Sequence, residues 1–195
     1  MTPASDRQRR GEGKGIVTEV PQSMNQSYRL APDEKATQVM IGTADTLMWG
    51  DLVTKEAVRV SAYLNTLAED YVPLRDAKIL FLAPKEQMAP IERSLVHIGQ
   101  EEILIFFVMH DEEPLPEETQ TRRYEPVEAI IGSFQIEGSI LKAPISSVQN
   151  MLLVSKATYL PIYRVTIRHV AKSWLGTFSS GFVQVRCARM IVTEQ

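Results

Sequence analysis

Few side chains of this 195-residue sequence combine the type and spacing that catalysis or metal binding requires. The three histidines, His97, His110 and His169, are far apart, and none has a second His or Cys at the spacing of a metal site. We therefore interpret each as a histidine of a strand or loop and expect no metal ion.

The motifs of nucleophilic and phosphate chemistry are absent from the sequence. It contains neither Gly-x-Ser-x-Gly nor a Gly-rich loop followed by Lys-Ser/Thr. Residues 178–181, Phe-Ser-Ser-Gly, predict a hairpin turn instead. The single cysteine, Cys187, follows the alternation of Val183 and Val185, so we interpret it as a small core residue and not as a nucleophile.

Three carboxylates, Glu69, Asp70 and Asp76, are the remaining candidates for acid–base chemistry. The repeat described below aligns them with a region that carries Lys156 and Arg164, and nothing else nearby completes a catalytic set. We therefore expect no enzymatic activity and no cofactor.

Basic residues of the second half are the clearest candidates for a binding site. Arg164 and Arg168 project together from an alternating strand, and Arg186 could join them from the last strand. Such a basic face could bind nucleic acid or another anionic partner. The alternative is that these arginines face the acidic first half or the linker.

A second basic group lies in the N-terminal tail, where acidic residues are interspersed. It could contact an anionic partner, or it could simply be a solvated tail. Its members are Arg7, Arg9, Arg10 and Lys14.

Composition and charge indicate a globular protein with many turns. The sequence is 44% hydrophobic and 23% charged, with 11 Pro and 10 Gly. No run approaches the ~20 apolar residues that span a bilayer, and the polar N-terminus is unlike a secretion signal, so we expect a cytoplasmic protein. The net charge of -3 is uneven: residues 36–111 carry net -5 and residues 126–195 carry net +4.

An internal repeat organises the chain. A single offset of 88 residues aligns two segments without gaps, and the identities include Gly, Pro and Tyr, which are positionally demanding. The matched pairs are Gly50 with Gly138, Val60 with Val148, Leu64 with Leu152, Tyr71 with Tyr159, Pro73 with Pro161 and Ile79 with Ile167.

The repeat predicts the fold class and the domain boundaries. We expect a mainly β (β-rich α+β) protein of two tandem β-β-α-β-β repeats, each a small barrel-like or sandwich-like unit, packed together. The predicted ranges are a disordered tail over 1–35, repeat 1 over 36–111, an acidic linker over 112–125 and repeat 2 over 126–195.

The hydrophobic pattern places the elements within each repeat. First strands are predicted at 38–47 and 127–135, third strands at 71–80 and 159–168, and final strands at 94–97, 102–109 and 183–192. Between the second and third strands a short helix is predicted, ended by Asn65 in repeat 1 and capped by Ser146 or Ser147 in repeat 2.

Residues 103–109, Ile-Leu-Ile-Phe-Phe-Val-Met, are apolar on both faces of a strand. Such a strand must be central in a sheet or buried against another subunit, because an exposed one would aggregate. Self-association is therefore a natural use of this fold.

The first repeat resembles an uncharacterised family of small prokaryotic β-rich domains. The resemblance rests on residues 60–65, Val-Ser-Ala-Tyr-Leu-Asn, followed by residues 71–77, Tyr-Val-Pro-Leu-Arg-Asp-Ala. It is weaker in the second repeat, where Leu153 replaces Asn65 and Arg164 replaces Asp76. The resemblance implies a glycine-containing hairpin, a short helix and a strand, and it implies no activity.

The sequence therefore predicts a non-enzymatic protein-interaction or assembly module that binds a protein partner or itself. The alternative is a nucleic-acid-associated regulator that uses the basic face of Arg164, Arg168 and Arg186.

Overall fold

The computed structural model describes residues 29–67, 70–82, 89–109 and 121–194. The predicted disordered tail up to residue 28 and residues 112–120 of the predicted linker lie outside the described residues. Within the described chain the fold is mainly β, as the sequence predicts.

The described strands form one antiparallel sheet in the order β10-β6-β7-β8-β9-β5-β1-β2-β3-β4. The sheet is open and does not close into a barrel, and β4 and β10 are its two edges. Their bounds are β1 Glu34–Gly42, β2 Thr46–Lys55, β3 Tyr71–Phe81, β4 Ile91–Gly99, β5 Ile105–Val108, β6 Arg123–Ile131, β7 Phe134–Lys142, β8 Tyr159–His169, β9 Thr177–Arg186 and β10 Met190–Glu194.

Two short helices lie at corresponding places in the chain order. Helix α1, Val60–Ala62, continues as a π-helical turn, Tyr63–Leu67, and helix α2 spans Val148–Val154. The Ser147 hydroxyl accepts a hydrogen bond from the Asn150 N–H at 3.1 Å, which confirms one of the two predicted caps.

The first strands predicted at 38–47 and 127–135 are wrong at their ends, because each predicted range includes the turn that follows the strand. β1 stops at Gly42 because the Thr43 hydroxyl accepts from the Thr46 N–H at 3.1 Å, which fixes a tight turn. In the second half the turn after β6 uses Gly132 at φ 56°, a conformation that favours glycine. β1 begins at Glu34 and β6 at Arg123, slightly before the expected repeat boundaries.

Gly50 lies within β2. The β2–β3 register shifts between Trp49 and Asp51, and a Cβ at Gly50 would lie 2.4 Å from the carbonyl oxygen of Arg75. The next residue of β3, Asp76, has φ 45°. The glycine therefore lets two backbones approach at a bulge.

The same arrangement occurs 88 residues later. The β7–β8 register shifts around Gly138, whose Cβ would lie 2.8 Å from the carbonyl oxygen of Tyr163, and Arg164 has φ 54°. The bulge changes the alternation of β8, so Tyr163 packs with Phe182 while Val165 enters the core on the other face. The regular alternation that the sequence predicts for this strand is therefore interrupted at Arg164.

The last predicted strand, 183–192, is two strands. A 3-10 turn at Cys187–Arg189 separates β9 from β10, just as a 3-10 turn at Gln100–Glu102 separates β4 from β5. The predicted hairpin turn at residues 178–181 lies inside β9. Cys187 is half-buried on the turn and packs against the core, and burial raises the pKa of its thiol.

Two hydrophobic cores lie against this sheet. The first core consists mainly of side chains from the first half, with Tyr159 as the contribution from the second half. The second core consists mainly of side chains from β6 to β9, with Leu47, Leu80, Leu82, Leu104, Ile105 and Phe107 from the first half.

β5 takes part in both cores. Phe106 and Val108 belong to the first core, whereas Ile105 and Phe107 belong to the second, and all four are buried. Because successive side chains of a strand point to opposite faces, the two cores meet β5 from opposite sides. The expectation that this apolar strand is central is confirmed: it pairs with β1 on one side and β9 on the other.

We expect Gly50→Ala and Gly138→Ala each to lower the free energy of unfolding by ~1–3 kcal/mol, because the added methyl group meets a backbone carbonyl that cannot swing aside. Urea denaturation measures the change. Gly99→Ala is the matched control, since its Cβ would meet only the Glu102 side chain at 3.6 Å. A loss for Gly99→Ala as large as for the other two would contradict this account.

Candidate functional site

The three arginines predicted to form a basic face occupy different environments. Arg164 is exposed at the bulge of β8, with its guanidinium 4.2 Å from the centre of the Tyr124 ring. Tyr124 in turn meets Tyr163 edge to face, with ring centres 5.7 Å apart. A cation over an aromatic face is stabilised by the ring quadrupole, so this contact orients Arg164 along the surface.

Arg168 lies near the far end of β8 and contacts two side chains of β7. Its Nε donates to Gln135 Oε1 at 2.8 Å, and its Nη2 lies 3.8 Å from Glu137 Oε1. Both charged side chains of this ion pair are about half exposed, so the pair contributes little to stability. The nearby carboxylate also reduces the attraction of Arg168 for an anion.

Arg186 is turned into the protein, at the last position of β9. Its Nε donates to the carbonyl oxygen of Ile103 at 2.7 Å. Its Nη2 donates to the Tyr159 hydroxyl at 2.9 Å and to the carbonyl oxygen of Gln100. The guanidinium also lies 5.0 Å from the centre of the Tyr159 ring.

The structure therefore brings Arg164 and Arg168 to the exposed surface of one strand and does not bring Arg186 to them. Arg186 lies opposite Tyr159, at the start of β8, whereas Arg168 lies nine residues further along that strand, or about 30 Å at ~3.3 Å per residue. The Nε and Nη2 groups of Arg186 donate to two carbonyl oxygens and to the Tyr159 hydroxyl.

These contacts of Arg186 belong to a polar network that joins the two halves of the chain. Tyr159 donates its N–H to Asn65 Oδ1 at 2.9 Å and its hydroxyl to the Gln100 carbonyl oxygen at 3.2 Å. Gln100 Nε2 donates to the Leu64 carbonyl oxygen at 2.8 Å. Burial raises the pKa of the Tyr159 phenol, so the group stays a neutral donor in this network.

Sequence reasoning missed this network. Asn65 was expected to end a helix in a left-handed conformation, but its side-chain oxygen holds the start of β8 and its Nδ2 donates to the Ser61 carbonyl oxygen at 3.0 Å. Gln100 carries no sequence signal, because its partners Tyr159 and Arg186 lie 59 and 86 residues away.

Two surface clefts accompany the sheet edges. One lies between α2 and β10 and is apolar; the other lies where β4 ends. The first is lined by Val148, Gln149, Leu152, Leu153 and Val192. The second is lined by Asp70, Tyr71, Gly99, Gln100 and Glu101.

Large apolar side chains are exposed beside both clefts. Tyr71 is 62% exposed, Leu153 75% and Ile191 64%. Exposed apolar groups scattered singly are common, but groups gathered at an unpaired strand edge are typical of interaction sites.

The candidate catalytic and metal residues do not assemble into a site. Asp70 and Asp76 are exposed, Asp76 at the bulge of β3, and His97 is exposed on β4. In the described ranges no three His, Cys, Asp or Glu side chains form a group that could hold a metal ion. Glu69 and His110 lie outside the described residues.

His169 differs from the other candidates because it is buried at the end of β8. Its ring meets Phe134 edge to face, with centres 5.3 Å apart, and neither ring nitrogen has a hydrogen-bond partner in the described structure. Burial, with a smaller contribution from the charge of Lys172, lowers the pKa of His169 below its ordinary value. The histidine is a neutral core residue.

Comparison of the chain with protein-family models, with curated proteins and with solved structures finds no match. Among the residues that the structure describes, no helix has the length and apolar composition needed to span a bilayer.

We expect Arg186→Met to lower the free energy of unfolding by about 2–3 kcal/mol, because the carbonyl oxygens of Gln100 and Ile103 and the Tyr159 hydroxyl each lose the hydrogen bond that the guanidinium donates. Arg168→Met is the matched control and should cost at most about 1 kcal/mol, since its ion pair is exposed. Urea denaturation compares the two. Equal losses would show that Arg186 does not hold the junction.

We expect the free energy of unfolding to fall as the pH drops from about 7.5 to about 5. The folded state keeps His169 neutral, so the unfolded chain binds more protons once the pH falls below the ordinary histidine pKa of ~6.5. The contribution of His169 to the free energy of unfolding is full above that pH and is lost as the pH falls below it. His169→Leu should show a shallower decline in thermal or urea denaturation, and parallel curves would contradict this assignment.

Proposed function

We propose that this chain is a non-enzymatic assembly protein that binds protein partners through the two open edges of its sheet. It consists of two copies of one β-β-α-β-β unit, each followed by a 3-10 turn and a fifth short strand. The observation that carries the proposal is that, among the strands the structure describes, β4 and β10 each have a neighbour on one side only and lie next to exposed apolar side chains.

Several coincidences of position support the two-copy organisation. β3 and β8 begin and end 88 residues apart, and so do the starts of α1 and α2. The positive φ values of Asp76 and Arg164 are separated by the same number of residues, as are the bulge glycines Gly50 and Gly138. A conformation that L-residues rarely adopt is unlikely to recur at one spacing by chance.

The chemistry of an edge strand supports strand addition as the mode of binding. An edge strand presents backbone N–H and C=O groups on its outer side, and a partner strand can pair with them while side-chain pockets give specificity. Protective charges on β4 are confined to Glu92 and Arg93 near its start, whereas the remainder, from Leu95 to Ile98, is apolar apart from His97. That part of the edge is open to pairing.

A nucleic-acid role has less support. Arg164 and Arg168 are exposed on β8, which suits an anionic partner, but Arg168 already lies beside Glu137 and Arg186 is inside the molecule. If nucleic acid is bound, affinity should fall steeply with salt and should depend on Arg164 and Arg168 alone.

The proposal is tested by native mass spectrometry of the protein gently purified from its own source, followed by hydrogen–deuterium exchange of the complex. We expect a second polypeptide to be bound, with added amide protection at residues 91–98, at residues 190–194, or at both. Protection confined to the surface around Arg164 would favour the nucleic-acid alternative. Substrate turnover by the chain, or protection that leaves both edges unchanged, would overturn the proposal.

A further inference from the structure

The junction between the two halves shows how one edge of the unit can be covered. In the first half, Val60 of α1, Leu64 of the π-helical turn and Phe106 of β5 belong to one core, and the Tyr159 side chain completes that core; we call its place there the groove. The Tyr159 ring meets Phe106 edge to face at 5.0 Å, and its N–H donates to Asn65 Oδ1. Tyr159 is 1% exposed as a result.

The second half has the same groove without an occupant from the described chain. Eighty-eight residues after Val60 and Leu64 come Val148 and Leu152, which line the apolar cleft between α2 and β10. Leu153, at the position that corresponds to Asn65, is 75% exposed beside it.

A tyrosine of matching position lies at the other end of the sheet. Tyr71 starts β3 as Tyr159 starts β8, and the two are 88 residues apart. Tyr71 is 62% exposed and lies opposite Gly99 on the edge strand β4. The molecule therefore carries an open groove beside β10 at one edge of the sheet. Beside β4, at the other edge, it carries Tyr71, which corresponds to the tyrosine that fills the groove of the first half.

Corresponding positions on the strands follow from the pairing registers. Phe106 of β5 lies opposite Ile41, and Val192 of β10 lies opposite Ala129. Because Ala129 is 88 residues after Ile41, Val192 corresponds to Phe106. By the same step Ile191 corresponds to Ile105, one residue earlier in its strand.

The other edge is placed in the same way. His97 of β4 lies opposite Pro73, and Gln184 of β9 lies opposite Pro161. Because Pro161 is 88 residues after Pro73, His97 corresponds to Gln184. The next residues correspond likewise, Ile98 to Val185.

We propose that β10 of one copy pairs antiparallel with β4 of a second copy, and that Tyr71 of the second copy fills the groove between α2 and β10 of the first. The inference rests on the proposed function and names a second copy of this chain as the partner.

The register follows from the internal junction, where Ile105 lies opposite Val185 and Phe106 opposite Gln184. The intermolecular junction accordingly places Ile191 opposite Ile98.

The faces of the strands agree with this register. Ile105 leaves the first half and enters the core to which Val185 belongs. Ile191 would likewise leave its own half and join Ile98, which belongs to the first core. Val192 already packs against the second core and would keep that contact. Its counterpart Phe106 likewise belongs to the core of its own half, the first core.

The intermolecular junction lacks the polar network of the internal one. Gly99 stands opposite Tyr71 where Arg186 stands opposite Tyr159, and Leu153 replaces Asn65. The proposed contacts, of Tyr71 with Val192 and Leu153 and of Ile191 with Ile98, are apolar, so the association is weaker than the internal junction and reversible. Because the two surfaces differ, it runs head to tail and produces a ring or a filament.

The test is sedimentation velocity of the purified full chain over a range of micromolar concentrations. We expect the wild-type chain to form species larger than a monomer. Ile191→Glu and Tyr71→Glu should each weaken self-association by roughly 100-fold or more, since a buried unpaired charge is costly. Val170→Glu is the matched control: it also replaces an apolar side chain, 66% exposed, but lies beyond the opposite end of β8 and should leave association unchanged.

Mixing the two variants separates this arrangement from any symmetric one. Ile191→Glu keeps an intact Tyr71 edge and Tyr71→Glu keeps an intact β10 edge, so an equimolar mixture should form a heterodimer and stop there. A mixture that stays monomeric although the wild-type chain associates, or a wild-type chain that is monomeric at every concentration, would overturn the inference.

Failure here can be told apart from failure of the proposed function. If the wild-type chain is monomeric but Ile191→Glu or Tyr71→Glu abolishes binding of a different polypeptide, the edges are interaction sites and only the second-copy partner is wrong. If neither variant alters any protein contact, both proposals fail. Unchanged melting temperatures of the two variants confirm that they fold.

Discussion

The double burial of β5 is the constraint on which the rest of this structure depends. A four-residue strand whose side chains are all apolar cannot lie at an open edge, and here Phe106 and Val108 enter one core while Ile105 and Phe107 enter the other. The strand can satisfy both faces only if the second half supplies β9 beside it. Neither half could bury β5 alone, so the two halves form one sheet and are not independent domains joined by a tether.

The polar network beside β5 makes this union specific. Hydrophobic burial is non-directional and would tolerate a shift of register, but the Arg186 guanidinium must meet the carbonyl oxygens of Gln100 and Ile103, and Asn65 must meet the N–H of Tyr159. These bonds hold one register between β5 and β9. The same geometry commits Arg186 of the predicted anion site to partners within the protein, which shifts the functional interest from the face of β8 to the edges of the sheet.

The elements with strong local signals were predicted well. The third strand of each half was placed within one residue of its observed end, because alternation and the initial Tyr-x-Pro are local properties. The first strands were predicted through their turns, because the strand pattern was continued across residues 42–46, Gly-Thr-Ala-Asp-Thr, where the Thr43 hydroxyl holds the turn. The predicted tail up to residue 28 falls outside what the structure describes, so that prediction stays open.

The sequence by itself determined the β-rich class, the positions of the core strands and the spacing of 88 residues between matching positions, because these depend on residue type and periodicity. Only the tertiary structure decided that the strands form a single open sheet, that Arg186 faces inward and that Tyr159 is covered while Tyr71 is exposed. Each of the two tyrosines begins its strand and is followed two residues later by a proline. Their different burial arises from which edge has a neighbour, and that is a long-range property that no local pattern encodes.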